Sequence, residues 1–302
     1  MARPHRVEAC GGHCVMKMET EPVVRPARIT GQARLGGVVG NPIGHSLSPI
    51  LHNAWLEAGA VDGSYVAFQP KDPNGFRTLV AAGRAGLIQG LNVTAPFKEQ
   101  AYALADDVAP AAKATGSANI LVFENGRVRA DSADGAGVLY ALAEQAPSFE
   151  LKGAHVVMLG AGGAARAVAG ALVEAGARLS ILNRTRSRAE ALAADLGAGV
   201  MVAEDEAVLA KADLVINALS APPTIDLSLL KADAVVMDMT YKPVLTPFLA
   251  AAQARGLTTV DGLAMLIGQA GPSFEAIFGV SPPPLDLRAV AMAHLAKAKA
   301  VA

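Results

Sequence analysis

The chain has 302 residues, enough for two domains of ordinary size, each able to bury its own core. Hydrophobic residues make up 52% but aromatics only 4%, with Ala and Gly abundant, a composition that suits close helix-on-sheet packing better than a β-sandwich. The formal net charge of −1, with both signs interspersed, provides no basic stripe for nucleic acid, and the apolar runs, such as Val156 to Leu159, are strand-sized and fall short of the ~20 residues of a membrane span.

Residues 1–28 read as a disordered extension, polar and Gly-containing, within which Met16 or Met18 is an alternative start of translation. The segment holds both cysteines, Cys10 and Cys14, with His5 and His13, so a metal knot is conceivable on ligand type alone; the disordered reading is preferred, and no metal is expected. It lacks an apolar stretch followed by a small-residue cleavage site, so a secretory signal is not expected and a reducing cytoplasm is the expected compartment.

From Leu35 short apolar runs alternate with helical stretches: a strand over Gly36 to Gly40, a helix from Ser48 to Ala58, a strand from Tyr65 to Gln69, a helix from Asn74 to Ala82 and a strand from Leu87 to Val93. That rhythm predicts parallel β/α units. A helix from Glu99 to Ala105 precedes a strand from Ile120 to Phe123, after which Glu124-Asn125-Gly126 reads as a hairpin turn, and the first lobe is expected to end near Asp131. A helix from Ala136 to Ala143 then leads to a second series with strands at Val156 to Leu159, Leu179 to Asn183, Leu214 to Ala218, Val235 to Met239 and Thr258 to Val260, a doubly wound layout. An apolar helix through Met265 to Phe278, the break Pro282-Pro283-Pro284 and a last Ala-rich helix have no strand to follow, so they are expected to pack back on the first lobe.

The strand Val156 to Leu159 runs into Gly160-Ala161-Gly162-Gly163-Ala164-Ala165, with the spacing G-x-G-x-x-A. Gly160 suits the sharp turn, Gly162 lets a pyrophosphate approach the backbone, Ala165 permits close helix–strand packing, and the helix start supplies free N–H groups for the anion. A glycine-rich turn is a weak signal alone, but here the strand and helix that the dinucleotide fingerprint requires are both in place. The second strand ends in Asn183-Arg184-Thr185-Arg186-Ser187-Arg188, without the acidic residue that would bond the ribose hydroxyl of NAD. Arg184, with Thr185, Asn183 and Arg188, is instead suited to a 2′-phosphate, so NADP is favoured over NAD. An exposed basic helix start with no ligand is the poorer reading, because cations at a helix N-terminus are unfavourable unless an anion joins them.

Two polar stretches follow first-lobe strands, where ligands bind in this architecture: Gly40 to Pro49 and Asn92-Val93-Thr94-Ala95-Pro96-Phe97-Lys98. Ser46 and Ser48, two apart, would face the same way in an extended segment and bond two oxygens of one carboxylate or diol; Ser48 followed by Pro49 is also a good helix N-cap. Lys98 is expected to project into the same cleft, where a lysine partly withdrawn from water suits proton transfer near neutral pH. Asp134, where the chain leaves the first lobe, is placed to stand against Lys98, although Asp134-Gly135 also reads as a plain turn.

On these residues the chain resembles the shikimate dehydrogenases from about Ile29 to the C-terminus. The matching motifs are Gly44-His45-Ser46-Leu47-Ser48-Pro49, Asn92 to Lys98, Asn119, Asp134-Gly135, Gly160 to Ala164, Asn183-Arg184-Thr185, Met239-Thr240-Tyr241 and Asp261-Gly262-Leu263 through Gln269. The resemblance implies an α/β protein of two lobes: a substrate-binding domain over residues 29–133, a Rossmann-type NADP-binding domain over 134–265, and C-terminal helices over 266–302. It implies reversible reduction of 3-dehydroshikimate to shikimate, with hydride from NADPH and a proton from Lys98, held by Asp134. Ser46, Ser48, Asn92, Thr94, Asn119, Tyr241 and Gln269 would complete the substrate site; Gly160, Ala161, Gly162, Gly163, Ala164, Asn183, Arg184, Thr185, Arg188, Met239 and Gly262 would hold NADP. A monomer or homodimer with no partner beyond small molecules is expected.

The chain departs from the family pattern at Ala133, commonly Thr, and over Asn217 to Pro223, where Thr and a later Gly are common. These changes bear on affinity and nicotinamide placement more than on reaction type. Two competing readings are an NAD-preferring quinate/shikimate dehydrogenase, opposed by Arg184 and the paired serines, and a non-catalytic dinucleotide-dependent sensor, opposed by Lys98 and Asp134.

Overall fold

The computed structural model describes residues 29–301 apart from 198 and 220, so the expectations for 1–28, including the Cys10 and Cys14 cluster, lie outside the described residues. In chain order the elements are β1 (Arg34–Val39), α1 (Ser48–Ala58), β2 (Gly63–Phe68), α2 (Pro73–Arg84), β3 (Gly90–Val93), α3 (Lys98–Ala103), β4 (Asp107–Val108), α4 (Pro110–Thr115), β5 (Ile120–Glu124), β6 (Arg127–Asp131) and α5 (Asp134–Gln145). They continue with β7 (His155–Leu159), α6 (Gly163–Glu174), β8 (Arg178–Leu182), α7 (Arg186–Leu196), β9 (Val200–Val202), β10 (Leu214–Asn217), β11 (Val235–Asp238), α8 (Pro247–Ala254), β12 (Thr258–Val260), α9 (Gly262–Phe278) and α10 (Leu287–Val301).

The strands form two six-stranded sheets, the α/β architecture of two lobes expected from the sequence. The second has the order β12-β11-β10-β7-β8-β9 with every pairing parallel, which is the doubly wound arrangement. Its order reverses at β7 and β10, so a crevice opens past the carboxyl ends of these strands, where the glycine turn emerges. Strand β7 is buried along its whole length, because helices cover both faces of such a sheet and polar alternation has no place in it.

The first sheet, β2-β1-β3-β5-β6-β4, is not wholly parallel. Strands β1, β2 and β3 pair parallel, but β5 runs antiparallel to β3 and forms a hairpin with β6. Asn125 and Gly126 both take positive φ, 52° and 76°, the backbone that a tight hairpin demands and that their sequence promised. The predicted run of parallel units therefore fails after β3. The strand expected from Leu87 starts only at Gly90, since Leu87 is exposed at the end of α2.

The C-terminal helices return to the first lobe. Phe274, Ile277 and Phe278 of α9, with Leu287 and Ala291 of α10, are packed among Val38, Leu51, Trp55 and Tyr65. The sequence permits this by leaving side chains off the sheet: Gly36 and Gly90 are register neighbours, and a Cβ on either would stand 2.9 Å from Ile277. Helix α9 starts from the other lobe, where Asp261 caps it by accepting from the Ala264 N–H. Arg288 of α10 grips the same carboxylate through two nitrogens at 3.0 and 3.1 Å.

Candidate active site

A cavity of about 160 Å³ opens against the carboxyl ends of β1 and β3, lined by all nine residues expected around a substrate: Ser46, Ser48, Asn92, Thr94, Lys98, Asn119, Asp134, Tyr241 and Gln269. Six separate stretches of chain converge on it, among them the lead-in to β5, which supplies Asn119. Ser46 and Ser48 come from the loop and first turn after β1, Asn92 and Thr94 from β3 and its exit, Tyr241 from the loop after β11 and Gln269 from the middle of α9. Lys98 is the first residue of α3 and Asp134 the first of α5, so neither is the loose surface side chain or plain turn that its local sequence allows.

The serine loop differs from expectation in one respect. The N-cap of α1 is Leu47, without a side-chain cap, and Ser48 already lies in the first turn. Ser46 takes the cap's place in part, its hydroxyl oxygen accepting from the Ser48 N–H at 3.2 Å. The Ser48 hydroxyl is thus not committed to capping the helix.

Lys98 Nζ donates to Asp134 Oδ2 at 2.5 Å, and the two side chains are only 12% and 5% exposed. A buried ion pair needs its remaining valences filled, and Asn119 fills one. The Ala133 N–H donates to Asn119 Oδ1 at 2.8 Å, which fixes the amide, so that Nδ2 faces Asp134 Oδ1 at 2.8 Å and Gln269 Oε1 at 2.9 Å. The carboxylate therefore stands between a neutral donor that sets its plane and the ammonium that it holds toward the cavity. Ala133, where a hydroxyl is common, keeps the part of its role that the backbone supplies.

Sequence reasoning missed Ser273 and His52, which also line the cavity. Ser273 is fully buried one turn after Gln269, accepts from Asn92 Nδ2 at 2.8 Å and donates to the Gln269 carbonyl at 2.8 Å. Its i+4 spacing from Gln269 on an apolar helix was the available signal. His52 lies four residues after Ser48 on α1, the same spacing; burial holds its imidazole neutral, with a pKa lowered to about 3.

The expected dinucleotide residues lie past the carboxyl ends of β7, β8, β11 and β12, with the glycine turn at the second sheet's switch point. Gly160 has φ of 111°, which side chains rarely adopt, and the space beside Gly162 is open. Gly162 is the N-cap of α6 and offers no side-chain acceptor to the helix's first N–H groups. The departing segment from Asn217 runs alongside, Leu219 Cδ2 standing 3.0 Å from where a Gly160 Cβ would be; Ser220 lies outside the described residues. Arg184 and Arg188 are exposed and, among the described residues, have no carboxylate partner, whereas the intervening Arg186 is paired with Glu190 at 2.8 Å. Asn183 Nδ2 donates to the Thr185 carbonyl at 2.8 Å, which folds the strand end over the start of α7. Unblocked helix N–H groups beside two unpaired arginines fit a dinucleotide with an extra phosphate. Gly262 is buried: a Cβ there would lie 2.4 Å from the Met239 carbonyl oxygen, so close packing of α9 on the end of β11 by itself requires glycine.

Among the described residues, no three His, Cys, Asp or Glu are grouped to hold a metal ion, and no helix is long and apolar enough to cross a membrane.

Family models agree with this two-lobe division of labour. Residues 38–121 match the shikimate dehydrogenase substrate binding domain, and residues 141–241 match shikimate / quinate 5-dehydrogenase. The chain belongs to the shikimate dehydrogenase family. Among its relatives, a shikimate dehydrogenase (NADP(+)) of Caulobacter vibrioides is 50% identical over 276 residues, covering 87% of this chain and 96% of the relative. The solved shikimate 5-dehydrogenase of Thermus thermophilus, in complex with NADP(H) and shikimate, is 35% identical with a TM-score of 0.77, covering 86% of this chain and 98% of that one. A quinate dehydrogenase from Corynebacterium glutamicum in complex with NAD is 31% identical with a TM-score of 0.78, covering 87% and 99%. Membership thus extends over both lobes.

Proposed function

We propose that the protein is an NADP-dependent shikimate dehydrogenase that interconverts 3-dehydroshikimate and shikimate within aromatic amino acid biosynthesis. The observation that carries the reading is the Lys98–Asp134 pair, buried in a cavity whose other polar groups, His45 and His52 apart, are hydroxyls and amides suited to a polyhydroxylated acid. The first lobe, residues 29–133 with the returning helices over 266–302, would bind substrate, and residues 134–265 would bind NADP.

In the reducing direction Lys98 gives its proton to the ring carbonyl oxygen as that oxygen becomes a hydroxyl, and in the reverse direction takes it back. When held at the glycine turn after β7, NADPH would supply hydride chemistry for the carbonyl carbon, the protein contributing its placement. Asp134, paired with Lys98 through Oδ2, would hold the lysine aimed at the reacting oxygen throughout the transfer. Ser46 and Ser48 are assigned the substrate carboxylate, and Thr94, Asn92, Asn119, Tyr241 and Gln269 its hydroxyls. Gly160, Ala161, Gly162, Gly163 and Ala164 are assigned the pyrophosphate, Asn183, Arg184, Thr185 and Arg188 the adenosine phosphate, and Met239 and Gly262 the nicotinamide end. A cytoplasmic enzyme, monomeric or homodimeric, completes the proposal.

Steady-state assays that pair shikimate and quinate with NADP and NAD test it directly. The highest kcat/KM is expected for shikimate with NADP; a higher value for quinate with NAD would overturn the assignment.

A further inference from the structure

Asn92 has an amide with no freedom left. Its Nδ2 donates to the Asn119 backbone carbonyl at 3.3 Å and to Ser273 Oγ at 2.8 Å. A carbonyl oxygen can only accept, so this end of the amide must be nitrogen. Ser273 spends its own proton on the Gln269 carbonyl, so it too must accept from Asn92. Both N–H groups are consumed, and the amide oxygen is left facing Tyr65, whose hydroxyl donates to it at 2.7 Å.

Tyr65 does not line the cavity, yet it is among the most deeply buried side chains, 1% exposed. Its ring lies flat on that of His52, centroids 4.1 Å apart and planes 9° from parallel, and Phe274 closes on His52 from α9. Burial raises the phenol well above its usual range, so it keeps the proton that it donates. A carbonyl-type oxygen accepts two hydrogen bonds, and Tyr65 occupies one lone pair of Asn92 Oδ1. What Asn92 can offer a ligand is the other.

We propose that Tyr65 is a positioning residue for the substrate site: its hydroxyl locks the Asn92 amide with its oxygen as the only valence open to the cavity, so that Asn92 accepts from a substrate hydroxyl. This rests on the reading of the cavity as the shikimate site. The role differs from packing, because the ring stack alone would be served equally by phenylalanine.

Tyr65→Phe keeps the ring and removes one donor. Expected is a rise in KM for shikimate of about 5- to 10-fold, the scale of one lost hydrogen bond, with kcat changed less than about twofold and KM for NADP unchanged. In an Asn92→Ala background the same substitution is expected to add less than about a twofold further change, since its target is gone. An unchanged KM for shikimate in folded Tyr65→Phe protein, or an equal rise in both backgrounds, overturns the positioning role. Absence of shikimate turnover in the native protein overturns the reading of the site and the proposal with it, whereas native turnover with an unaffected variant overturns the role of Tyr65 alone.

Discussion

At the scale of single residues, the site depends on two withdrawn charges and the neutral groups that hold them. If Lys98 is the proton donor, Lys98→Ala lowers kcat by about 10²- to 10⁴-fold and leaves the binding of NADP, in the other lobe, unaltered. A loss confined to KM, followed with single-turnover measurements, would refute the role. His52 makes a second prediction, about stability. Its folded pKa of about 3 lies below the ordinary 6.5, so under acid the unfolded chain takes up a proton that the folded chain refuses. Stability is therefore unaffected above pH 6.5 and falls as the pH drops from there toward 3, by about 2 kcal/mol at about pH 5. His52→Phe should flatten the decline of melting temperature between pH 7 and 5, and melting curves parallel to those of the native protein would contradict it. The sequence disclosed Lys98 and Asp134 as candidates, but each had a plain surface or turn explanation. What makes them a pair is Asn119, turned by the Ala133 N–H, and the direction of an amide is decided by neighbours distant in sequence.

Individual elements differ in how openly the sequence announces them. Strand β7 with its glycine turn was legible because the signal is local: an apolar run, a residue that must take positive φ and a helix start. Helix α9 was legible from its length and apolarity. Strands β4 and β9, with two and three residues, and the six-residue α4 were not, since nothing so short shows a period. The antiparallel turn of β5 and β6 was half seen, because Asn125-Gly126 marks the hairpin but not the sheet that it joins. At the start of α7, Arg184→Ala or Arg188→Ala should raise KM for NADPH by about 10- to 100-fold, the cost of charge-assisted bonds to a phosphate, with little change for NADH. Arg186→Ala should do neither, as its guanidinium is engaged by Glu190. Comparing the three variants with both cofactors tests which arginines meet the extra phosphate. At the cap of α9, desolvation raises the Asp261 carboxyl, but Arg288, the Ala264 N–H and Gln145 outweigh it and hold its pKa below the ordinary value. That contribution is present above the ordinary carboxyl range and is lost as the pH falls through the lowered folded value. Arg288→Ala should cost about 2 kcal/mol at neutral pH and move the onset of acid unfolding upward, measurable by denaturant titration at several pH values.

For the molecule as a whole, the lobes are not separable units joined by a flexible linker. Gly170 lies against Thr115, a contact across the two lobes, while α9 is capped in one lobe and ends among the glycines of the other. Calorimetry should therefore show one transition, and NADP at 100 times its Kd should stabilise all of it by about 2.7 kcal/mol. Two transitions, of which NADP moves only one, would contradict this coupling. The route of the chain has a further consequence during synthesis. The lobe that leaves the ribosome first, carrying Gly36, Trp55, Tyr65 and Gly90, lacks its covering until Phe274, Ile277 and Phe278 have been made. The nascent substrate lobe must wait, with an apolar face open, through translation of the entire second sheet, so the part of the protein that begins first is finished last.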